Sequence, residues 1–289
     1  MRLLIILLFI FFSLNAQNYT LSLWEDAFPN YNAADKKEKA LSDSIISSKV
    51  VAPKTIMAIF AHPDDETSIG PVLAKYASLS DVYLVVATDG RYGINDHSGI
   101  PAGDSLVAVR KKETACACAK LAINPPHFLG AKDGLGLNGH HDYYTEIGQL
   151  KERILKKIIQ LKPDVILTFG PDGDTGHPDH RLVSLLTTEI LLREKWTKQI
   201  DLYYFGWTKE QTKKFPVEWG LGYVHLDNLN TVISFTPEDE KKAFTSLRCH
   251  ESQFTEEAMT EWVSSELKDT TNVLYFRKFE LGRSKTDHF

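Results

Sequence analysis

The 289-residue chain carries 33 basic and 38 acidic side chains, which gives a formal net charge of −5 at pH 7. This length is enough for one large domain with a full hydrophobic core. Because the chain is mildly acidic and has no block of Lys or Arg, we expect no nucleic-acid partner.

The first 16 residues have the pattern of a secretory signal peptide. Arg2 precedes an apolar run over residues 3–12, and Ala16 is a small residue at the expected cleavage point. The run is shorter than the roughly 20 residues that span a bilayer. We therefore expect a secreted or periplasmic protein with no stable membrane span after cleavage. The alternative is an uncleaved membrane anchor, because only one basic residue precedes the apolar run.

The three cysteines, Cys116, Cys118 and Cys249, do not suggest a disulfide framework despite the predicted export. Cys116 and Cys118 lie two apart on a predicted helix and therefore point to different sides. We expect all three to be buried small hydrophobic residues. A cysteine-based zinc site or a cysteine nucleophile is accordingly disfavoured.

Residues 17–52 are mixed and polar, and we expect an N-terminal extension with a helix at 33–48, packed on a domain of residues 53–289. Short apolar runs predict strands at 55–61, 81–88, 127–129, 165–169 and 201–205. Helical spacing of apolar residues predicts helices at 69–78, 105–121, 145–161 and 181–196. This alternation predicts a Rossmann-like α/β fold, a mostly parallel sheet flanked by helices with right-handed crossovers.

The C-terminal part is less regular. Thr236 is a predicted N-cap, and Pro237 occupies the first position of a helix that continues to about Cys249. A second helix at 256–267 and a final strand at 273–279 follow. We expect a single domain, since no repeat or low-complexity linker interrupts the chain.

Two polar clusters follow predicted strands. The strand at 55–61 is apolar on both faces, as expected for a central parallel strand, and runs into residues 62–66, His-Pro-Asp-Asp-Glu. The strand at 165–169 is followed by residues 177–180, His-Pro-Asp-His. Parallel α/β sheets place their chemistry at the carboxyl ends of the strands. The two clusters therefore predict one shared site.

The residue types in these clusters are those of a zinc site. Neutral imidazole and carboxylate bind Zn²⁺, and His62 and Asp65 lie three apart on a loop that Pro63 constrains. Either His180 or His177 would complete a His-His-Asp set and leave one position open for water, which is the catalytic arrangement. The structural alternative is a polar capping loop with ordinary hydrogen bonds. The presence of two such clusters favours a functional site.

The two clusters, together with residues 170–173, Gly-Pro-Asp-Gly, resemble the PIG-L/LmbE-like family of zinc-dependent de-N-acetylases. Weaker similarity extends through Arg110-x-x-Glu113 and through residues 242–253, so that it covers residues 54–254. The resemblance implies a zinc ion held by His62, Asp65 and His180. It also implies that Asp64 is the general base that takes a proton from the attacking water.

The resemblance further implies that His177 stabilises the oxyanion or protonates the leaving amine, and that Asp179 orients or tunes His177. Arg91 and Asp133 match residues that such enzymes place near the substrate. One position differs from some members, which carry a tyrosine two residues before the His-Pro-Asp-His motif, where this chain has Thr175. Another side chain would have to substitute, or zinc and His177 alone would hold the oxyanion.

The expected function is that of an exported zinc-dependent hydrolase. Its substrate would be an N-acetylglucosamine-type amino sugar or glycoconjugate, from which it removes the N-acetyl group. One alternative is a zinc-dependent hydrolase of another amide or ester, since the same groups would serve any acyl group that fits. The other is a non-catalytic glycan-binding relative, which the intact set of expected ligands and base disfavours.

Overall fold

The computed structural model of the protein describes residues 54–135 and 140–281, and the side chains of residues 140–143 fall outside this description. The expected signal peptide at 1–16 and the N-terminal extension at 17–52, with its helix at 33–48, lie outside the described residues.

The described residues form a seven-stranded sheet in the order β3-β2-β1-β4-β5-β7-β6. The strands are Thr55–Phe60 (β1), Asp81–Thr88 (β2), His127–Ala131 (β3), Val165–Phe169 (β4), Asp201–Phe205 (β5), Thr231–Ser234 (β6) and Val273–Lys278 (β7). The first five strands are parallel, and β7 is antiparallel to both β5 and β6. The prediction of a mostly parallel α/β sheet is confirmed.

Helices cover the sheet. They are Gly70–Ala77 (α1), Asp104–Leu121 (α2), His140–Leu161 (α3), Pro178–Arg193 (α4), Lys209–Thr212 (α5), Pro237–Leu247 (α6) and Glu256–Glu266 (α7). No helix in the described ranges is both long and apolar enough to cross a membrane.

Most element bounds lie within a few residues of those predicted, and the differences have local causes. Helix α4 begins at Pro178 and not at residue 181, because proline suits the first helical position and His177 caps the helix with its ring nitrogen. The edge strand β6 was not predicted. Its four residues are all half-buried and do not alternate, so only pairing with β7 defines it as a strand.

The strand β1 lies inside the sheet between β2 and β4, with a different core on each face. On one face Ile56, Ala58 and Phe60 pack in a cluster with residues of α1, α2 and α6. On the other face Met57 and Ile59 pack in a cluster with residues of α3 and α4. Burial on both faces explains the continuous apolar sequence of this strand.

The chain reverses its direction of travel across the sheet at β1. Strand β2 follows on one side, whereas β4 lies on the other side of β1. In an open α/β sheet, the crevice beyond the carboxyl ends of the strands at such a point is the usual ligand site. The two polar clusters follow β1 and β4, so both lie at this crevice.

The prediction that all three cysteines are buried residues outside any disulfide is wrong for two of them, since Cys116 is exposed and Cys249 is half-buried. Cys116 on α2 and Cys249, just after α6, form a disulfide with a Cα–Cα distance of 5.8 Å. Their separation of 133 residues left no local pattern in the sequence that could reveal the pairing. Cys118 is free and buried, as expected.

This disulfide should contribute measurably to stability. A double Cys116→Ser/Cys249→Ser variant removes a crosslink that closes a long loop, so its free energy of unfolding should fall by about 2–5 kcal/mol in urea denaturation. Reduction of the wild type should produce the same loss, and the double variant should not respond to reductant. An unchanged free energy of unfolding in the double variant would contradict this prediction.

Candidate active site

The turn after β1 is held from α2 by Arg110. Its Nη2 donates to the Pro63 carbonyl at 2.6 Å and to Asp64 Oδ2 at 3.1 Å, and Nη1 donates to the Gly90 carbonyl at 2.9 Å. The Arg110 guanidinium packs so closely against Gly90 that a Cβ at residue 90 would lie 2.5 Å from Nη1. Asp64 has φ = 89°, a left-handed conformation that non-glycine residues adopt only when their surroundings impose it. Arg110 therefore stabilises an otherwise unfavourable turn.

The next residue, Asp65, has different partners from Asp64. It begins a 3₁₀ turn, Asp65–Ile69, and its Oδ2 accepts a hydrogen bond from the His62 main-chain N–H at 2.8 Å. The same oxygen lies 3.6 Å from His62 Nδ1. Two adjacent carboxylates are thus separated, one bound by Arg110 and the other facing His62.

The second cluster is presented by the N-terminus of α4. His177 is the N-cap, and its Nδ1 accepts a hydrogen bond from the Asp179 main-chain N–H at 3.2 Å. His180 lies in the first turn, where its Nδ1 is 3.1 Å from the carbonyl oxygen of Gly173. Since a carbonyl can only accept, His180 Nδ1 carries a proton and its Nε2 is left for a ligand.

His62, Asp65 and His180 bring two ring nitrogens and the two oxygens of one carboxylate together in a buried position. The distances are 3.2 Å from His62 Nδ1 to His180 Nε2, 3.1 Å from His180 Nε2 to Asp65 Oδ1, and 3.6 Å from His62 Nδ1 to Asp65 Oδ2. Tetrahedral ligands with bonds of about 2.0–2.1 Å to zinc are about 3.3–3.4 Å apart. The three side chains therefore fit a small divalent cation such as zinc.

The other nitrogen of His62 is held by carboxylates. Its Nε2 lies 3.2 Å from Asp133 Oδ1 and 3.3 Å from Asp179 Oδ2. Asp179 Oδ2 also accepts hydrogen bonds from the main-chain N–H groups of Gly134 and Leu135. A carboxylate that accepts the Nε2 proton orients the ring and leaves Nδ1 free for a metal, as in many metal sites.

The charges of the three candidate ligands depend on one another. Burial by itself would lower the pKa of His62, but Asp65, Asp133 and Asp179 raise it well above its ordinary value. At His180, burial would likewise lower the pKa, but the charge and hydrogen bond of Asp65 raise it above its ordinary value. Burial alone would raise the pKa of Asp65, yet the two histidines lower it well below the usual range. Both histidines therefore hold a second proton more tightly than a free imidazole does, and a metal ion would compete with that proton.

Asp64 and His177 line the cavity with altered acidities. Burial raises the pKa of Asp64 to about 6, although Arg110 opposes the shift. Burial and the charges of His62 and His180 lower the pKa of His177. His177 is therefore neutral at pH 7, and because its Nδ1 accepts a hydrogen bond, its proton is on Nε2. The ring can donate a hydrogen bond into the cavity.

The cavity at this site has a volume of about 370 Å³. Side chains from both motifs and from three other loops form its walls, including Asp64, His177, Asp179, Tyr92, Asp133 and Gln253. The volume lies toward the lower end of the roughly 300–1,000 Å³ that is usual for small-molecule sites.

Of the expected site residues, His62, Asp64, Asp133, His177 and Asp179 line this cavity, whereas Asp65 and His180 contact His62 without lining it. Asp133 lies there, but its carboxylate is engaged by His62, by the Tyr92 main-chain N–H and by Gly134. Arg91 is not among the described residues that line the cavity, because Asp89 binds its guanidinium at 2.6 Å. Asp179 contacts His177 through its main chain, whereas its carboxylate faces His62.

Thr175 stands where some family members carry a tyrosine, but it does not replace that side chain in the site. It is exposed and is not among the described residues that line the cavity. Of the tyrosines that could substitute, Tyr92 lines the cavity. Tyr144 is 72% exposed, and the side chain of Tyr143 lies outside the described residues.

Two polar side chains of the cavity wall, Arg110 and Gln253, had no role in the expectations from sequence. Arg110 belongs to the Arg110-x-x-Glu113 similarity, and its binding to the turn after β1 explains why a buried helix face carries a charge. Gln253 donates from Nε2 to the Gly93 carbonyl at 3.1 Å. The weak motif similarity at both positions was the only signal, because their partners are remote in sequence.

Comparisons with known proteins show which family and which relatives the chain is similar to. Residues 57–191 match the family described as PIG-L, GlcNAc-PI de-N-acetylase. A 1D-myo-inositol 2-acetamido-2-deoxy-alpha-D-glucopyranoside deacetylase of Mycobacterium sp. (strain KMS) is 27% identical over 242 residues, which cover 73% of this chain and 77% of that protein.

Solved structures share the fold. An N,N′-diacetylchitobiose deacetylase from Pyrococcus horikoshii is 20% identical, with a TM-score of 0.55 over 86% of this chain and 92% of that chain. A 4-carboxy-2-hydroxymuconate hydratase from Pseudomonas putida KT2440 is 14% identical, with a TM-score of 0.58 over 81% of this chain and 99% of that chain. At these identities the likeness concerns the fold alone, and the fold is compatible with more than one reaction.

The geometry distinguishes His180 from His177 as a metal ligand. His180 Nε2 faces both Asp65 and His62, whereas His177 Nδ1 is occupied by the Asp179 N–H. His180→Ala should lose bound metal, and His177→Ala should keep it near the wild-type stoichiometry, as measured by elemental analysis of folded protein. Since His62, His177 and His180 also form a close group, the reverse pattern would reassign the ligands.

Proposed function

Because this chain belongs to the PIG-L/LmbE-like de-N-acetylase family, we propose that it is an exported, zinc-dependent deacetylase of an N-acetylglucosamine-type amino sugar or glycoconjugate. The observation that carries the proposal is the buried set of His62, Asp65 and His180, with ligand atoms 3.1–3.6 Å apart at a cavity that Asp64 lines. The names of the deacetylase relatives support the choice of an N-acetylated sugar.

In the proposed mechanism, His62, Asp65 and His180 would hold the zinc ion, which would supply Lewis-acid chemistry toward the amide carbonyl and the attacking water. The protein's own residues orient the ligands. Asp133 and Asp179 hold His62 Nε2, and the Gly173 carbonyl holds His180 Nδ1. Each ring is thereby locked with one nitrogen toward the ligand set.

Asp64 takes the proton from the attacking water. Its carboxylate lies in the cavity wall, adjacent in sequence to a ligand but free of the ligand set. Arg110 binds Oδ2 and keeps the group in one orientation. After attack, the proton held by Asp64 is available to the leaving amine, so that one carboxylate serves as base and then as acid.

His177 stabilises the oxyanion that forms when water adds to the amide carbonyl. Its Nε2 proton provides the hydrogen bond, and the helix cap at Nδ1 fixes the ring. A fixed donor toward developing charge is typically worth about 3 kcal/mol of barrier. The lowered pKa of His177 supports a neutral donor and not a cationic acid.

Export is supported by the Cys116–Cys249 disulfide, because stable disulfides belong mainly to oxidising compartments. The apolar run at residues 3–12 after Arg2 has the pattern of a signal peptide. A secreted or periplasmic enzyme would meet extracellular glycans, glycoconjugates or secreted metabolites as substrates.

Acetate release tests the proposed function directly. Zinc-loaded protein should release stoichiometric acetate from at least one N-acetylated amino sugar or glycoconjugate, detected by an enzyme-coupled assay. A chelator should abolish the release, and added Zn²⁺ should restore it. Protein that binds one zinc ion per chain but releases no acetate across the N-acetylated sugars would instead favour a non-catalytic glycan-binding role.

The two adjacent aspartates should respond differently to the same substitution. Asp64→Asn removes the base but keeps its size and hydrogen bonding, so kcat should fall by roughly 10²-fold or more at near-normal zinc content. Asp65→Asn should weaken zinc binding. Zinc and acetate release are measured in the same samples. An Asp64→Asn protein that keeps most of its activity with zinc bound would exclude Asp64 as the base.

A further inference from the structure

Five consecutive residues after α6, Cys-His-Glu-Ser-Gln at 249–253, all contact segments that surround the site: the turn after β1, helix α2 and the loop after β2. We propose that this segment, called here the 249–253 clamp, is a positioning element that fixes the turn carrying Asp64 and Asp65. It acts through a buried His250–Glu66 pair and is anchored to α2 by the Cys116–Cys249 disulfide. The proposal rests on the proposed function for the identity of the reaction, but not for the contacts of the clamp.

The contact with the turn is made by His250. Its Nε2 lies 2.6 Å from Glu66 Oε1, and both side chains are fully buried. Glu66 follows Asp65 directly in the 3₁₀ turn Asp65–Ile69. A buried carboxylate is tolerated only when it is paired and hydrogen-bonded. The position of His250 therefore determines where Glu66 can lie, and with it the turn.

The clamp is anchored to one face of α2. Ser252 donates from its main-chain N–H and from its hydroxyl to the two carboxylate oxygens of Glu113, each at 2.7 Å. Cys116, one turn further along, forms the disulfide with Cys249. Arg110, one turn in the other direction, holds Asp64. Residues spaced by three share a helix face, so one stripe of α2 holds both the turn and the clamp.

The other end of the clamp holds the loop after β2. His97 Nε2 lies 2.9 Å from the Glu251 carbonyl, and Gln253 Nε2 donates to the Gly93 carbonyl at 3.1 Å. Gln253 and Gly93 both line the cavity. The clamp thus connects the turn after β1 with the opposite loop, although the two are joined along the chain by β2 and α1.

This arrangement assigns a function to a buried pair that takes no part in the chemical steps. Asp64 has a left-handed backbone, which must be imposed from outside the turn. Arg110 restrains the turn at Pro63 and Asp64. The hydrogen bond between His250 and Glu66 restrains it two residues further along. Loss of the pair should misplace Asp64 and Asp65 while leaving the substrate-binding wall largely intact.

The test uses His250→Phe, which keeps a ring without the hydrogen bond, Glu66→Leu, which removes the carboxylate that accepts it, and the double variant. Zinc affinity is measured by competition with a chromophoric chelator, and kcat and KM by acetate release. Each single variant should lose about 10–100-fold in zinc affinity or kcat, the range for partners that orient ligands, with a much smaller change in KM. The double variant should be no worse than the weaker single variant, because both remove one interaction.

Leu247→Ala is the matched control, because Leu247 is buried at the end of α6 just before the clamp. It should lower the melting temperature without the loss in zinc affinity. Equal losses in Leu247→Ala and His250→Phe at equal melting temperature would overturn the proposal, since the pair would then act only through stability. Wild-type zinc affinity and kcat in folded His250→Phe would overturn it as well.

Cys116→Ser/Cys249→Ser gives a second, independent decision if the buried variants fail to fold. It keeps the His250–Glu66 pair and removes only the anchor. Zinc affinity should fall, and reduction of the wild type, with the reductant removed before zinc is added, should reproduce the loss. Wild-type affinity in the folded double serine variant would overturn the anchored clamp. Because zinc affinity requires no substrate, an absence of acetate release in the wild type would refute the proposed function and leave this readout intact.

Discussion

Three polar groups that cannot be left alone in a protein interior determine how this site is built. His62, Asp65 and His180 are each less than 10% exposed, and their facing atoms are 3.1–3.6 Å apart. A buried carboxylate between two imidazoles requires compensating positive charge, supplied either by protons on the rings or by a divalent cation. The raised pKa values of both histidines and the lowered pKa of Asp65 express this requirement. The surrounding structure is arranged to keep these groups together.

The positions of these groups depend on the point at which the sheet reverses its strand order. Strands β1 and β4 are neighbours, so the loops that follow them meet although they are more than a hundred residues apart. Helix α4 starts at this crevice and presents His177 as its cap and His180 in its first turn. Helix α2 approaches from the other side and binds the turn after β1 through Arg110. Because β1 is buried by apolar residues on both faces, the strand that carries the turn is held rigidly.

Similar side chains have different tasks because their partners differ. Asp64 is bound by Arg110, whereas Asp65 faces the two histidines. His177 uses Nδ1 for its helix cap, whereas His180 uses Nδ1 for a carbonyl and leaves Nε2 to the ligand set. The carboxylate of Asp179 serves His62, so its influence on His177 is limited to the main-chain contact and its charge. In each case the hydrogen-bond partner that orients the side chain determines which of its atoms is available for chemistry.

The sequence by itself determined the elements and the two motifs, because strand and helix periodicity and strand-end polarity are local features. It predicted β2, β4 and β5 with their observed bounds and brought His62, Asp65 and His180 to one edge of the sheet. Only the tertiary structure decided which atoms face one another. The Cys116–Cys249 disulfide spans 133 residues and the His250–Glu66 pair spans 184, and neither leaves a periodic signal. Arg91 and Arg110 are chemically alike, but their partners differ. Asp89 binds Arg91, whereas Arg110 binds the turn after β1 and lines the cavity. Such choices follow from the packing of remote segments, which no local pattern contains.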